Sequence, residues 1–152
     1  MAGVLLTHRE CVGLLQPEGS PRCGLVAIDG RVPVPLACFP LAGGDVFIPA
    51  EEDGVLARMA AWRPVSIEFT GRDQAGSGRW TVRGLGLARP IHDPAGPWRL
   101  PRAARLAVSG RCGGGVRVVL ARLHGYQEDP AVDLPMQRAG RPEARTETEG
   151  RT

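Results

Sequence analysis

The residue types that most often perform acid–base chemistry are sparse in this sequence and lie far apart. The 152 residues include only three histidines. His8 lies in the first predicted helix, His92 lies beside Asp93 in a proline-rich stretch, and His124 lies near the end of the last predicted strand. His124 is the best placed of the three, but a lone histidine of this kind is more often structural than catalytic. The histidines therefore predict no general acid–base pair.

Carboxylates, thiols and hydroxyls give no metal site or nucleophile either. Glu51, Glu52 and Asp53 are consecutive, and because consecutive side chains seldom converge on one ion, we interpret them as a solvated acidic turn. Neither Ser66 nor Ser109 lies in a nucleophile elbow. The cysteines have no CxxC or Cys/His spacing, so we expect reduced, partly buried thiols in a cytoplasmic protein and no metal. These four cysteines are Cys11, Cys23, Cys38 and Cys112.

Length and composition suit one turn-rich β domain. The chain has 43% hydrophobic and 23% charged residues, and its 21 glycines and 14 prolines are too many for a helical bundle. All 19 basic residues are arginines, they are scattered, and the net charge is only +3. With 5% aromatic residues, this pattern argues against nucleic-acid binding. The sequence shows neither a membrane span nor, in residues 1–30, a signal peptide. We predict a folded domain over residues 1–126 and a disordered polar tail over 127–152.

Turn residues and hydrophobic periodicity predict where the first elements begin and end. Thr7 and Glu10 have the spacing of a capping box, which opens a short helix. Asp29-Gly30 predicts a type I′ turn that joins the first two strands. Asp53 is a natural N-cap for a second short helix. Pro64–Thr70 alternates apolar and polar residues, as a strand with one buried face does.

The second half of the chain predicts curved strands. Gly84 and Gly86 lie inside a long strand and indicate a bulge, which a small barrel needs. Gly113–Gly115 reads as a flexible joint that precedes a last strand over Val116–Tyr126. The count is about six strands with two short helices, and closure of such a sheet removes its exposed edges. The predicted fold is mainly β (α+β), a six-stranded antiparallel barrel.

Several stretches form an ordered series that matches a known pattern. They are Leu6–Leu15, Gly24–Leu36, Gly44–Ile48, Arg63–Phe69 and Trp80–Val82, with Gly86 six residues after the tryptophan. In order and spacing they resemble the pyridoxamine-phosphate-oxidase-like flavin split-barrel family, especially its small nitroimidazole-reductase-like bacterial group. The resemblance covers roughly residues 5–91, and 116–126 more weakly.

The resemblance implies a split barrel of the FMN-binding type that works as a homodimer. Members of this family hold FMN or a deazaflavin in a groove between subunits and act on small molecules. The resemblance implies that the ring lies along two strands with a tryptophan nearby, and Arg58, one turn into the second helix, is added as a candidate for the missing positive charge. The corresponding residues are Val34, Pro35, Leu36, Ile48, Pro49, Ala50, Arg58 and Trp80.

The phosphate-binding positions depart from the family pattern. The family commonly ends the third strand in a hydroxyl residue and opens the second helix with Gly and Lys. Here Pro49 or Ala50 replaces the hydroxyl residue and Val55 replaces the basic one, beside the acidic residues 51–53. Like charges a few ångströms apart repel by roughly 1 to 4 kcal/mol. Arg58, or Arg31 or Arg63 from a neighbouring strand or subunit, could supply the positive charge instead.

Two functions follow from these features, together with a third alternative. The first is an oxidoreductase in which a flavin or deazaflavin supplies the redox chemistry and the protein orients it. The second is a non-enzymatic small-molecule-binding or partner protein on the same scaffold, with a degraded cofactor site and no cofactor. The third is a heme-binding relative with His124 or His92 as the iron ligand.

Overall fold

The computed structural model describes residues 3–15, 20–51, 54–73, 78–91, 102, 104 and 114–128. Within these ranges the chain forms seven strands and two helices, with a single 3-10 turn over Ala42–Gly44. In chain order the elements are β1 (Gly3–Leu6), α1 (His8–Leu15), β2 (Arg22–Ile28), β3 (Val34–Pro40), β4 (Val46–Ala50), α2 (Val55–Ala60), β5 (Pro64–Arg72), β6 (Arg79–Ile91) and β7 (Gly114–Glu128).

Six of the strands close into an antiparallel barrel. The order across the sheet is β1-β7-β4-β3-β2-β5-β6, and β6 also pairs with β7, which closes the sheet. Strand β1 is the extra strand, and it pairs with the last four residues of β7. The predicted fold, a mainly β six-stranded antiparallel barrel with short helices, is therefore confirmed. Neither helix in the described part of the chain is long and apolar enough to cross a membrane.

Local sequence signals account for the first helix and the first hairpin. The Thr7 amide donates to Glu10 Oε2 at 2.7 Å and the Glu10 amide donates to Thr7 Oγ1 at 3.3 Å, so the capping box forms as predicted. These bonds stabilise the carboxylate and lower the pKa of Glu10. At the hairpin, Asp29 and Gly30 have φ of 52° and 72°, the left-handed values that a type I′ turn requires.

The barrel interior is filled by inward-facing side chains from every barrel strand. The largest fully buried side chains include Trp80, Phe69 and Ile67, with Val82 and Val118 beside them. A shift in register falls at Leu85/Gly86, where the chain needs a glycine because the Leu120 Cα would lie 3.0 Å from any Cβ at position 86. The predicted bulge is therefore confirmed, and it gives the curvature that lets β6 pair along almost its whole length with β7.

The structure corrects three local expectations. Strand β1 is not predicted, because its four residues are mostly exposed and show no alternation. Gly114 and Gly115 are not a joint: they pair with Ala50 and Pro49 of β4, and a Cβ at position 115 would lie 2.6 Å from the Ile48 carbonyl oxygen. The last strand also continues to Glu128, two residues beyond the predicted domain boundary.

His92, Ser109, Cys112 and residues 129–152 of the predicted tail lie outside the described residues. The division into a domain and a disordered tail therefore stays a prediction.

Candidate ligand groove

An apolar groove of about 780 Å³ opens between the β2–β3 hairpin and α2. Nine of its ten described lining residues carry no charge. The lining residues are Val26, Ile28, Gly30, Arg31, Val32, Val34, Leu36, Val55, Leu56 and Met59. A groove of this size with apolar walls fits a planar ring system of drug-like dimensions.

The hairpin forms one wall of the groove because of strand alternation. Val26 and Val34 are directly paired across β2 and β3, so both side chains lie on the face that looks into the barrel. The hairpin is anchored to β5, since the Asp29 amide donates to the Pro64 carbonyl at 2.8 Å. An ion pair of 3.2 Å between Arg63 Nη1 and Asp29 Oδ2 supports the same turn. This wall is therefore positioned by both local turn chemistry and neighbouring strands.

Helix α2 forms the opposite wall. Ala57 and Ala60 are buried against the barrel, while Val55 is 68% exposed and Met59 is 38% exposed toward the groove. The helix begins after Gly54, which caps it without any side-chain hydrogen bond. The Gly54 amide donates to the Glu51 carbonyl at 3.0 Å, so the chain turns just before the helix, and Asp53, the predicted N-cap, lies outside the described residues.

The structure brings together only part of the predicted ring site. Val34 and Leu36 line the groove, but Pro35 points to the outer face of the sheet, where it pairs with Leu25. Ile48 and Ala50 are 2% and 6% exposed, so both are buried, and Ile48 packs in the main core.

The remaining predicted site residues also lie outside the groove lining of the described chain. Pro49 is half-buried and pairs with Gly115. Arg58 is exposed on α2, on a part of the helix that does not line the groove.

Trp80 lies in the barrel core and not among the described residues that line the groove. Its side chain is 2% exposed, and Nε1 donates to the Arg72 carbonyl at 3.1 Å. The Arg22 guanidinium lies 5.1 Å from the ring centroid, a cation–π contact. Burial there lowers the pKa of Arg22. The indole therefore has a complete set of structural contacts at this end of the barrel.

The groove contains residues that sequence reasoning did not select. Val26, Ile28 and Val32 come from the hairpin, and Leu56 and Met59 come from α2. Alternation in β2 and β3 and the apolar face of the second helix carry the signal for most of them. Their meeting across the groove depends on how α2 packs on the barrel, which no local pattern specifies.

The charge on the described groove lining comes from a single side chain. Arg31 is the one ionisable residue in the described lining. Asp29, two residues away, is already paired with Arg63. The groove thus fits the apolar ring of a flavin, while an anionic substituent has one cation available at the hairpin.

The other candidate groups do not converge on the groove. His124 is exposed on the outer face of β7, directly opposite Arg83. Burial raises the pKa of the Cys38 thiol to about 12 and also raises the pKa of Cys11, so neither is poised as a thiolate. Among the described residues, no three His, Cys, Asp or Glu side chains come together to hold a metal ion.

Comparison of the structure with solved structures identifies the fold. A FAD-binding protein from Mycobacterium smegmatis is 20% identical with a TM-score of 0.58, over 84% of this chain and 99% of that one. A Corynebacterium glutamicum protein, described as a candidate pyridoxamine 5'-phosphate oxidase, is 16% identical with a TM-score of 0.60 over the same shares.

A third neighbour, from Bacteroides thetaiotaomicron, is described as a candidate 5-nitroimidazole antibiotic resistance protein. It is 12% identical with a TM-score of 0.57, over 83% of this chain and 87% of that one. No protein-family model and no curated protein sequence matches the chain. The closed barrel and these neighbours agree with the sequence resemblance, and the chain has the split-barrel fold of the pyridoxamine-phosphate-oxidase-like proteins.

Proposed function

We propose that the groove binds the ring of a flavin or deazaflavin and that the protein is an oxidoreductase acting on a small molecule. The observation that carries this proposal is the apolar groove of about 780 Å³ between the hairpin and α2. Its size and apolar walls suit a planar ring, and half-exposed side chains such as Val34 and Met59 lose water when a ring covers them. The description of the Mycobacterium smegmatis neighbour as FAD-binding supports the same ligand class.

In this proposal the protein binds and orients the ring, and the bound flavin or deazaflavin supplies the redox chemistry. Val34 on the hairpin and Met59 on α2, both partly exposed in the groove, would hold the ring. The apolar walls would exclude water from the face of the ring that they cover. FMN, FAD and deazaflavin share this ring shape, so the groove walls alone favour none of them.

The test is an absorption titration of the purified protein with FMN, FAD, riboflavin and a deazaflavin. We expect saturable binding of at least one of them. Val34→Glu should weaken it by about tenfold or more, because a carboxylate would be desolvated against the ring. Val4→Glu is the matched control, since Val4 is 57% exposed on β1 and does not line the groove. If the wild-type protein binds none of these compounds, the proposal is wrong.

We also propose that the protein is a homodimer with the groove between subunits. The outer face of the sheet carries a row formed by Leu25, Glu68 and Arg83, with Arg83 Nε donating to Glu68 Oε2 at 3.0 Å. Leu85 and Leu87 continue this face along β6 and are 53% and 49% exposed. Exposed leucines beside the ion pair of Glu68 and Arg83 suit a contact with a second copy related by two-fold symmetry.

Sedimentation measurements test the dimer. We expect the mass of two chains for the wild type and a shift toward one chain for Leu85→Arg. Val4→Arg should keep the wild-type mass. A wild-type protein that stays monomeric at micromolar concentration contradicts the proposed dimer. The proposal that the groove binds a flavin is tested separately by the titration.

The second candidate function is a binding protein without redox activity. What favours it is the start of α2, where the described residues offer no hydroxyl or basic side chain to a phosphate and Glu51 adds negative charge. Reduction of bound flavin by a nicotinamide donor would exclude this alternative. Binding of flavin without any such reduction would favour it. The free thiols of Cys11, Cys23 and Cys38 suit a cytoplasmic location, which we propose on that ground.

A further inference from the structure

The groove has charge at one end only, among its described lining residues. At the hairpin end lies Arg31, the one ionisable side chain of the described lining. Near the start of α2 the Gly54 amide donates to the Glu51 backbone carbonyl at 3.0 Å, and Glu51 is exposed outside the described groove lining. The next two residues in the sequence are also acidic. An anionic ligand in the groove therefore meets a described cation at the hairpin end and none at the α2 end of the lining.

Arg31 is available for a ligand. Its backbone amide donates to the Ile28 carbonyl at 3.0 Å, which fixes the main chain of the hairpin and leaves the guanidinium outside that bond. The neighbouring carboxylate of Asp29 is paired with Arg63 at 3.2 Å. Among the described residues Arg31 has no ion-pair partner, and its side chain is exposed at the rim. A guanidinium in this position can bind a phosphate or carboxylate through two parallel N–H donors.

We propose that Arg31 determines ligand specificity by binding an anionic substituent at the hairpin end of the groove. This inference rests on the proposed function and deepens it. The ligand class is a planar, mainly apolar ring with one anionic group, held so that this group lies at the hairpin and away from Glu51. The apolar ring supplies most of the affinity, and Arg31 sets the orientation and the preference for a charged over a neutral ligand.

The experiment compares FMN with riboflavin, which differ by the phosphate, on wild-type protein at low ionic strength. We expect FMN to bind about fivefold more tightly, which corresponds to an exposed ion pair of about 1 kcal/mol. In Arg31→Gln the ratio of FMN to riboflavin affinity should fall to about one. Added salt should have the same effect on the wild-type ratio. Arg58→Gln is the matched control, because Arg58 is exposed but does not line the groove, and it should keep the wild-type ratio.

A second probe pair separates this inference from the proposed function. Anilinonaphthalene sulfonate is an anionic aromatic dye, and N-phenylnaphthylamine is its neutral counterpart. If no flavin binds, the proposed function is wrong. The role of Arg31 is then tested by the affinity for the anionic dye relative to the neutral dye, compared between wild type and Arg31→Gln. A ratio that Arg31→Gln leaves unchanged, or that Arg58→Gln abolishes, overturns the inference for either pair.

Discussion

The contact between Gly71 and Trp80 gives the sharpest test of how the barrel is packed. Gly71 lies in β5 directly opposite Trp80 in β6. A methyl group at position 71 would lie 2.6 Å from Trp80 Cε2 and 3.0 Å from Nε1, and closer still to Cζ2. The indole cannot move aside without loss, because its Nε1 is bonded to the Arg72 carbonyl and Arg22 covers the ring. We therefore expect Gly71→Ala to destabilise the protein.

The magnitude follows from two opposing effects. Overpacking of a well-packed core costs about 1 to 3 kcal/mol, and the fixed indole favours the upper end. Replacing a strand glycine by alanine recovers about 0.5 to 1 kcal/mol of backbone entropy. The free energy of unfolding should thus fall by about 2 kcal/mol. For a domain of this size that lowers the melting temperature by about 6 °C.

Urea unfolding followed by circular dichroism and by tryptophan fluorescence measures this change. Gly13→Ala is the matched control, since Gly13 is exposed in α1 and no other side chain comes within 4 Å of a Cβ there. That variant should be more stable than wild type by roughly 0.5 to 1 kcal/mol, because alanine is the better helix former. A Gly71→Ala protein as stable as wild type would refute the packing of Trp80 against β5.

Three further predictions concern the thiols and one ion pair. Iodoacetamide at pH 8 should label Cys23, which is exposed, while Cys11 and Cys38 react only after unfolding, as located by peptide mass spectrometry. Because the pKa of Cys38 is raised to about 12 in the fold, its thiol stabilises the protein below pH 9, and the free energy of unfolding should fall as pH rises from 9 to 12. In Cys38→Ala this decline should be shallower by about 1.4 kcal/mol per pH unit, and equal slopes would refute the burial of the thiol. Arg117 Nε donates to Asp45 Oδ2 at 3.0 Å, with both side chains less than one-fifth exposed. Asp45→Asn should therefore cost about 2 to 3 kcal/mol in thermal or urea unfolding, and a loss below about 0.5 kcal/mol would mean that the pair is solvated.

The sequence by itself determined the elements whose signals are local. Neighbouring residues specify three such features, which could therefore be predicted: the capping box of Thr7 and Glu10, the Asp29-Gly30 turn and the bulge beside Gly86. Val34 is placed in the ligand site by the family resemblance, since β2 and β3 are apolar on both faces. Together with the order of motifs, these signals were enough to predict the split-barrel fold.

Only the tertiary structure decided what depends on partners distant in the sequence. Strand β1 exists because the end of β7 offers it unpaired backbone groups, and Gly115 is part of a strand because β4 lies alongside it. Trp80 is enclosed in the core rather than in the groove because Gly71 leaves room for its ring. The groove itself arises where α2 packs across from the hairpin, and that packing leaves Arg31 as its one charged lining residue in the described chain. Such arrangements are set by contacts over long sequence separations, and no local propensity or period encodes them.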